Sequence, residues 1–251
     1  HGLWNGSWCW SGWATRLSNL GWEVWSVNFR GRLEDNAEDV VRGLTFDQCI
    51  DDLKSVIGAA GPKAVLTGHS LGGIAAMKAA EGENLSALIL VSPPLFANES
   101  QTGNRVLYLL RLKYYLPVLL RLPVRIREID FSCHWLSSIP GDRREGILSG
   151  LVAESSDLVR RLLKPEADLH QTSVQCPTLV LAGQDDRVAP IEAVRQWTQM
   201  SSAEVKEYPG HGHWMLAEEG WEEIVNDLHR WAVQRLGESI LLAEFPAKSE
   251  L

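Results

Sequence analysis

Short, continuous apolar runs alternate along the chain with longer segments in which apolar residues return every third or fourth position. The runs WEVWSVNF (22–29), KAVLTG (63–68), SALILVS (86–92), TLVLAG (178–183) and AEVKEYP (203–209) read as strands. The segments 8–20, 45–60, 71–82, 190–200 and 220–236 carry helical periodicity, clearest in the last, where Trp221, Ile224, Val225, Leu228 and Trp231 line one face. Strands and helices in strict alternation predict an α/β fold, a mostly parallel sheet with helices on both faces.

The alternation stops between 94 and 172, a stretch that is helical in pattern, holds Pro117, Pro123 and Pro140, and contains no convincing strand. It reads as a helical cap inserted over the sheet. The expected partition is therefore a core of 1–93 and 173–238, a cap of 94–172, and a C-terminal tail of 239–251. Within the cap, Arg105, Arg111, Lys113, Arg121, Arg125 and Arg127 are interleaved with leucines, valines and tyrosines, and no acid occurs from 105 to 127. Two readings are open, a helix resting on an anionic membrane surface and a lid whose apolar side covers a pocket. The lid is preferred.

Composition narrows the partners. The 251 residues suffice for one sizeable core. A formal net charge of -8 leaves no electrostatic footprint for nucleic acid. Cys9, Cys49, Cys133 and Cys176 form no CxxC pair and lie at no ligand spacing from a histidine, so they read as buried or free thiols, with no metal site expected. No apolar run reaches the roughly 18 residues that span a bilayer, and a cytoplasmic location is expected. Oligomeric state is left open.

The chemistry concentrates at 68–72, where GHSLG stands directly after one strand-like run and directly before a helix-like one. A G-x-S-x-G in that setting is a nucleophile elbow: the serine occupies a strained turn, and side chains at Gly68 or Gly72 would collide where strand and helix cross. Ser70 is the candidate nucleophile. A serine hydroxyl needs a base, and the base an orienting carboxylate. Asp185 and Asp186 follow the run 178–183, and His211 and His213 follow the run 203–209, both at the carboxyl edge that carries Ser70. Asp186 is preferred because it takes the loop tip in Gly183-x-x-Asp186-x-x-x-Pro190. His213 is preferred because Gly212 permits a close turn and Trp214 can anchor the loop. His69 is expected to pack beside the site, and His134, His170 and His229 to be surface or core residues.

With HGLWNGSWCW at 1–10, GHSLGG at 68–73, GQDDRVAP and GHGHW, the chain resembles the α/β-hydrolase superfamily over nearly its whole length, and its opening decapeptide is similar to the methylesterase and hydroxynitrile lyase branch and its bacterial esterase relatives. The resemblance implies that Leu3 and Leu71 donate backbone N–H groups to an oxyanion. Read from the residues themselves, HGLWNGSWCW is also a tryptophan-rich loop in which Trp8, Trp10 and Trp13 belong to the core. The resemblance also implies strands ahead of the opening HG, one of them between 22–29 and 63–68. The chain is accordingly expected to be a fragment lacking roughly 20 to 30 upstream residues.

The expected function is hydrolysis of a carboxylic ester with an apolar acyl or alcohol group, without cofactor. The expected pocket residues are Trp4, His69, Phe131, Trp135 and Val188, with Leu136 adjoining. A serine at position 70 argues against haloalkane dehalogenase and epoxide hydrolase chemistry, which need a carboxylate there. Lactone or thioester hydrolysis, perhydrolysis or carbon–carbon cleavage on the same three residues stay open, as does a ligand receptor that acts through a protein partner.

Overall fold

The computed structural model describes residues 1–95, 105–163 and 173–237. Strands β1 (Val65–His69), β2 (Ala87–Val91), β3 (Thr178–Gly183) and β4 (Glu204–Tyr208) lie parallel in the order β1-β2-β3-β4. Before the insertion the chain forms α1 (Ser11–Asn19), α2 (Ala37–Gly43), α3 (Phe46–Ala60) and α4 (Leu71–Ala79). Within it come α5 (Arg105–Lys113), α6 (Tyr115–Leu119), α7 (Glu128–His134), α8 (Glu145–Leu148) and α9 (Ser156–Leu163). After it come α10 (Ile191–Met200) and α11 (Trp221–Leu236).

Burial explains why these runs read as they do. Leu88 to Val91 of β2 and Val180 and Leu181 of β3 are wholly enclosed, since helices cover both faces of the sheet and leave no polar side. Helix α4 follows the same rule. Leu71, Ile74, Ala75, Ala76 and Met77 are all buried, so it shows no polar stripe, and its small residues let it lie close on β1 and β2. Helix α3 begins at a capping box, in which the Thr45 hydroxyl accepts from the Gln48 N–H and the Gln48 side chain accepts from the Thr45 N–H.

The run 22–29 does not join the sheet. It makes no ladder hydrogen bonds among the described residues, and a cavity of about 710 Å³ lined by Trp13, Val24, Val27, Val65 and Leu66 separates it from β1. A strand needs a neighbour for its N–H and C=O groups, and among the described residues none stands on that side. The open edge also leaves Val65, Leu66 and Thr67 only partly buried. Helix α2 was not legible, because it buries only Val41 and shows no apolar period.

The regular elements described in residues 105–163 are helices, apart from one antiparallel bridge between Val124 and Glu154. Helices α5 and α6 both pack on α9 through an inner face that includes Leu107, Leu110 and Tyr114. The expected tail, 239–251, lies outside the described residues, as does His170.

Candidate active site

Strand β1 ends at His69 and α4 begins at Leu71, so Ser70 alone makes the turn between them, at φ 54° and ψ −131°. A non-glycine residue there carries backbone strain of about 1–3 kcal/mol, sustained only by surroundings that fix it. Both flanking glycines are required, for different reasons. A Cβ at Gly68 would sit 2.5 Å from the Gly72 carbonyl oxygen, the strand–helix crossing anticipated from the motif. A Cβ at Gly72 would sit 2.2 Å from the carbonyl oxygen of His1, so the obstacle there is the opening segment.

The loops after β3 and β4 bring the preferred acid and base to this turn. His213 Nε2 lies 2.9 Å from Ser70 Oγ, and His213 Nδ1 lies 2.8 Å and 3.0 Å from the two Asp186 carboxylate oxygens. Ser70, Asp186 and His213 are all buried. Asp186 Oδ1 also accepts from the N–H groups of Val188 and Ala189, which fixes the carboxylate's orientation. Asp185 points to solvent, and His211 stands outside this hydrogen-bond chain, its ring against Tyr208. With Nδ1–H donated to Asp186, the free lone pair of Nε2 faces the serine hydroxyl, the tautomer required to withdraw its proton.

His213 is held by two groups, Glu218, which the sequence did not single out, and His69, expected to pack beside the site. Glu218, buried, accepts from the N–H groups of Gly212 at 2.7 Å and Trp214 at 3.1 Å, the two residues that bracket His213. Burial raises its carboxyl pKa above the ordinary value. His69 Nε2 lies 2.9 Å from the His213 carbonyl oxygen, and its ring contacts Trp10, Trp214 and His213. Desolvation, reinforced by nearby His213, holds the pKa of His69 well below the usual imidazole value, so it stays neutral and donates to that carbonyl.

The opening segment lies against the serine, since a Cβ at Gly2 would be 2.9 Å from Ser70 Cβ. The backbone N–H groups of Leu3 and Leu71 have no acceptor among the described residues. Trp4, at φ 62°, turns this segment towards residues 124 and 152–154. Its N–H donates to Glu154 Oε2 at 3.0 Å, its indole N–H to the Val124 carbonyl, and its carbonyl accepts from Val152. Glu154 is in turn paired with Arg32 at 2.6 Å, with the two side chains 1% and 2% exposed, and Arg32 Nε donates to the Asn5 carbonyl. Neither residue was singled out from the sequence. They are 122 positions apart and no local pattern joins them.

Of the other expected pocket residues, Phe131 and Trp135 stack face to face with centroids 5.4 Å apart, and Trp135 presents its edge geometry to both Trp4 and His213. Val188 is fully buried and serves Asp186 through its backbone. Leu136, Trp10 and Trp13 are core residues. His134 is half-buried, and His229 accepts the Trp22 indole N–H. All four cysteines are free thiols, and burial pushes Cys9 and Cys49 up to about 12. The 710 Å³ cavity does not reach Ser70.

Comparison with known proteins bears on the family and the fold. The sequence model of the Alpha/beta hydrolase family matches residues 1–227. Among solved structures, the chain is similar to an esterase from Exiguobacterium antarcticum (18% identity, 92% of this chain and 89% of that one, TM-score 0.73). It is also similar to a methylesterase from Arabidopsis (16%, 93% and 97%, 0.69) and to a monoacylglycerol lipase from Paleococcus ferrophilus (19%, 94% and 92%, 0.65). At these identities the likeness is one of fold, whereas the family match runs along most of the sequence: the chain belongs to the alpha/beta hydrolase family and is a hydrolase.

Proposed function

We propose that the protein hydrolyses a carboxylic ester through Ser70, with His213 as general base and Asp186 as the group that orients and stabilises the imidazole. The unbroken hydrogen-bond chain from Ser70 Oγ through His213 to Asp186, at a strained turn between β1 and α4, carries this reading. Ser70 Oγ attacks the ester carbonyl while its proton passes to His213 Nε2. The tetrahedral oxyanion is met by the Leu3 and Leu71 N–H groups, each such donor contributing on the order of 3 kcal/mol. His213 then protonates the leaving alcohol, and water, deprotonated by the same imidazole, releases the acid.

Trp4, Phe131 and Trp135 form an aromatic wall that favours an apolar acyl or alcohol group, and the Arabidopsis methylesterase and the Exiguobacterium esterase are of the same fold. The test is labelling by a fluorophosphonate probe together with turnover of a p-nitrophenyl ester series, on the wild type and on Ser70→Ala. Labelling and turnover should vanish in the variant, with the preferred acyl chain read from the series. Ester turnover that persists in Ser70→Ala would exclude this serine as the nucleophile.

A further inference from the structure

The outer face of α5 and α6 does not divide into the apolar and polar sides usual for a surface helix. Leu107, Leu110 and Tyr114 are buried, so the inward face is already satisfied. On the other side Tyr108, Leu109, Leu112, Tyr115, Leu116 and Leu119 are each 54% to 60% exposed. A helix that is apolar all round is ordinarily enclosed, and a contiguous exposed apolar patch marks an interaction surface. Arg111, Lys113, Arg121, Arg125 and Arg127 are exposed along the same span. Lys113 pairs with Asp130 and Arg125 with Glu38, while Arg111, Arg121 and Arg127 have no acidic partner among the described residues.

We infer that this face rests on an anionic lipid surface, with the leucines and tyrosines entering the headgroup region and the arginines meeting lipid phosphates. The contact is peripheral, since no described helix is long and apolar enough to cross a membrane. Charge decides between occupants. A formal net charge of -8 repels the body of the protein from such a surface, so the cationic cap face is the one that docks. A second copy of the chain, meeting the same face in a two-fold contact, would set one cationic face against another. The exposed leucine tips, with Arg111 and Arg121 unpaired among the described residues, suit a fluid phosphate surface. The docking face also adjoins the site: Lys113 and Tyr114 both hydrogen-bond Asp130 of α7, the helix that carries Phe131.

The experiment is flotation of the full chain with vesicles of phosphatidylglycerol in phosphatidylcholine and with phosphatidylcholine alone. It is run on the wild type, on Arg111→Glu/Arg121→Glu and on Leu112→Ser/Leu116→Ser, with light scattering in parallel. These side chains are exposed and outside the catalytic machinery, so p-nitrophenyl acetate turnover should be unchanged and will report folding. The wild type should bind anionic vesicles at least about tenfold more tightly than neutral ones, and each double variant should lose about tenfold or more. Ser70→Ala should float like the wild type, so this result stands apart from the nucleophile assignment. The inference is overturned if the wild type ignores anionic vesicles, if both double variants bind them unchanged, or if the wild type is a dimer that the leucine variant dissolves.

Discussion

Replacing Glu154 by Gln tests whether the link between cap and opening segment is electrostatic. Glu154 accepts three hydrogen bonds, from the Trp4 N–H at 3.0 Å, the Ser155 N–H at 2.8 Å and Arg32 at 2.6 Å, and both members of the ion pair are all but sealed from water. The amide can still accept from Trp4, but its NH₂ group then opposes the Ser155 N–H, and the guanidinium is left buried without a counter-charge. Breaking such a pair from one side costs about 3–5 kcal/mol, a large part of the roughly 5–15 kcal/mol that holds a domain together. Replacing Arg32 by Met in the same chain removes the stranded charge and leaves the Asn5 carbonyl unpartnered, at about 1–3 kcal/mol. The double variant should therefore be more stable than Glu154→Gln alone, by about 2 kcal/mol. Urea unfolding with matched m-values measures all the corners of this cycle. A single variant that loses less than about 1 kcal/mol, or a double variant as unstable as the sum of the two singles, would refute the claim that buried charge pairing holds the segment.

Two further outcomes follow from the site. His69 titrates below its ordinary value of 6.5 in the folded protein, so its contribution is complete above that pH and is lost as pH falls towards the folded value, at about 1.4 kcal/mol per pH unit. Unfolding curves of the wild type and of His69→Gln from about pH 8 to about pH 5 should diverge in slope below 6.5, and parallel curves would show that His69 is not held neutral. Gly72→Ala should cost about 3 kcal/mol and depress ester turnover, because backbone faces backbone at that contact. Gly43→Ala, with nothing within 4 Å of its Cβ, should be neutral or stabilising, and equal thermal shifts in the two variants would contradict the contact.

The parts of the site legible in the sequence are those set by neighbours along the chain. Ser70 is marked by the strand before it and the helix after it, and Asp186 and His213 by the strands that deliver them. The same local logic misled at 22–29, where apolar alternation describes a competent strand but pairing depends on a neighbour elsewhere. Glu218 stands in the polar stretch AEEGWEE, where nothing distinguishes the buried acid from the exposed Glu219. The α5–α6 leucines read as a lid because a segment apolar on both faces has no period to show which side is covered. The structure divides them between an inner face that closes the cap and an outer one left in solvent.

The turn at Trp4 has a consequence for the order of folding. The elbow around Ser70 closes through short-range contacts, such as Gly73 N–H to the Ser70 carbonyl. The opening segment is bound to residues 120 and 150 positions away, and the imidazole reaches the serine across 143. Closing loops of that length is slow compared with forming a strand–helix turn. The turn at Ser70, with the Leu71 N–H beside it, thus rests on local contacts, whereas the placement of His213, Leu3 and Trp4 depends on long loop closures.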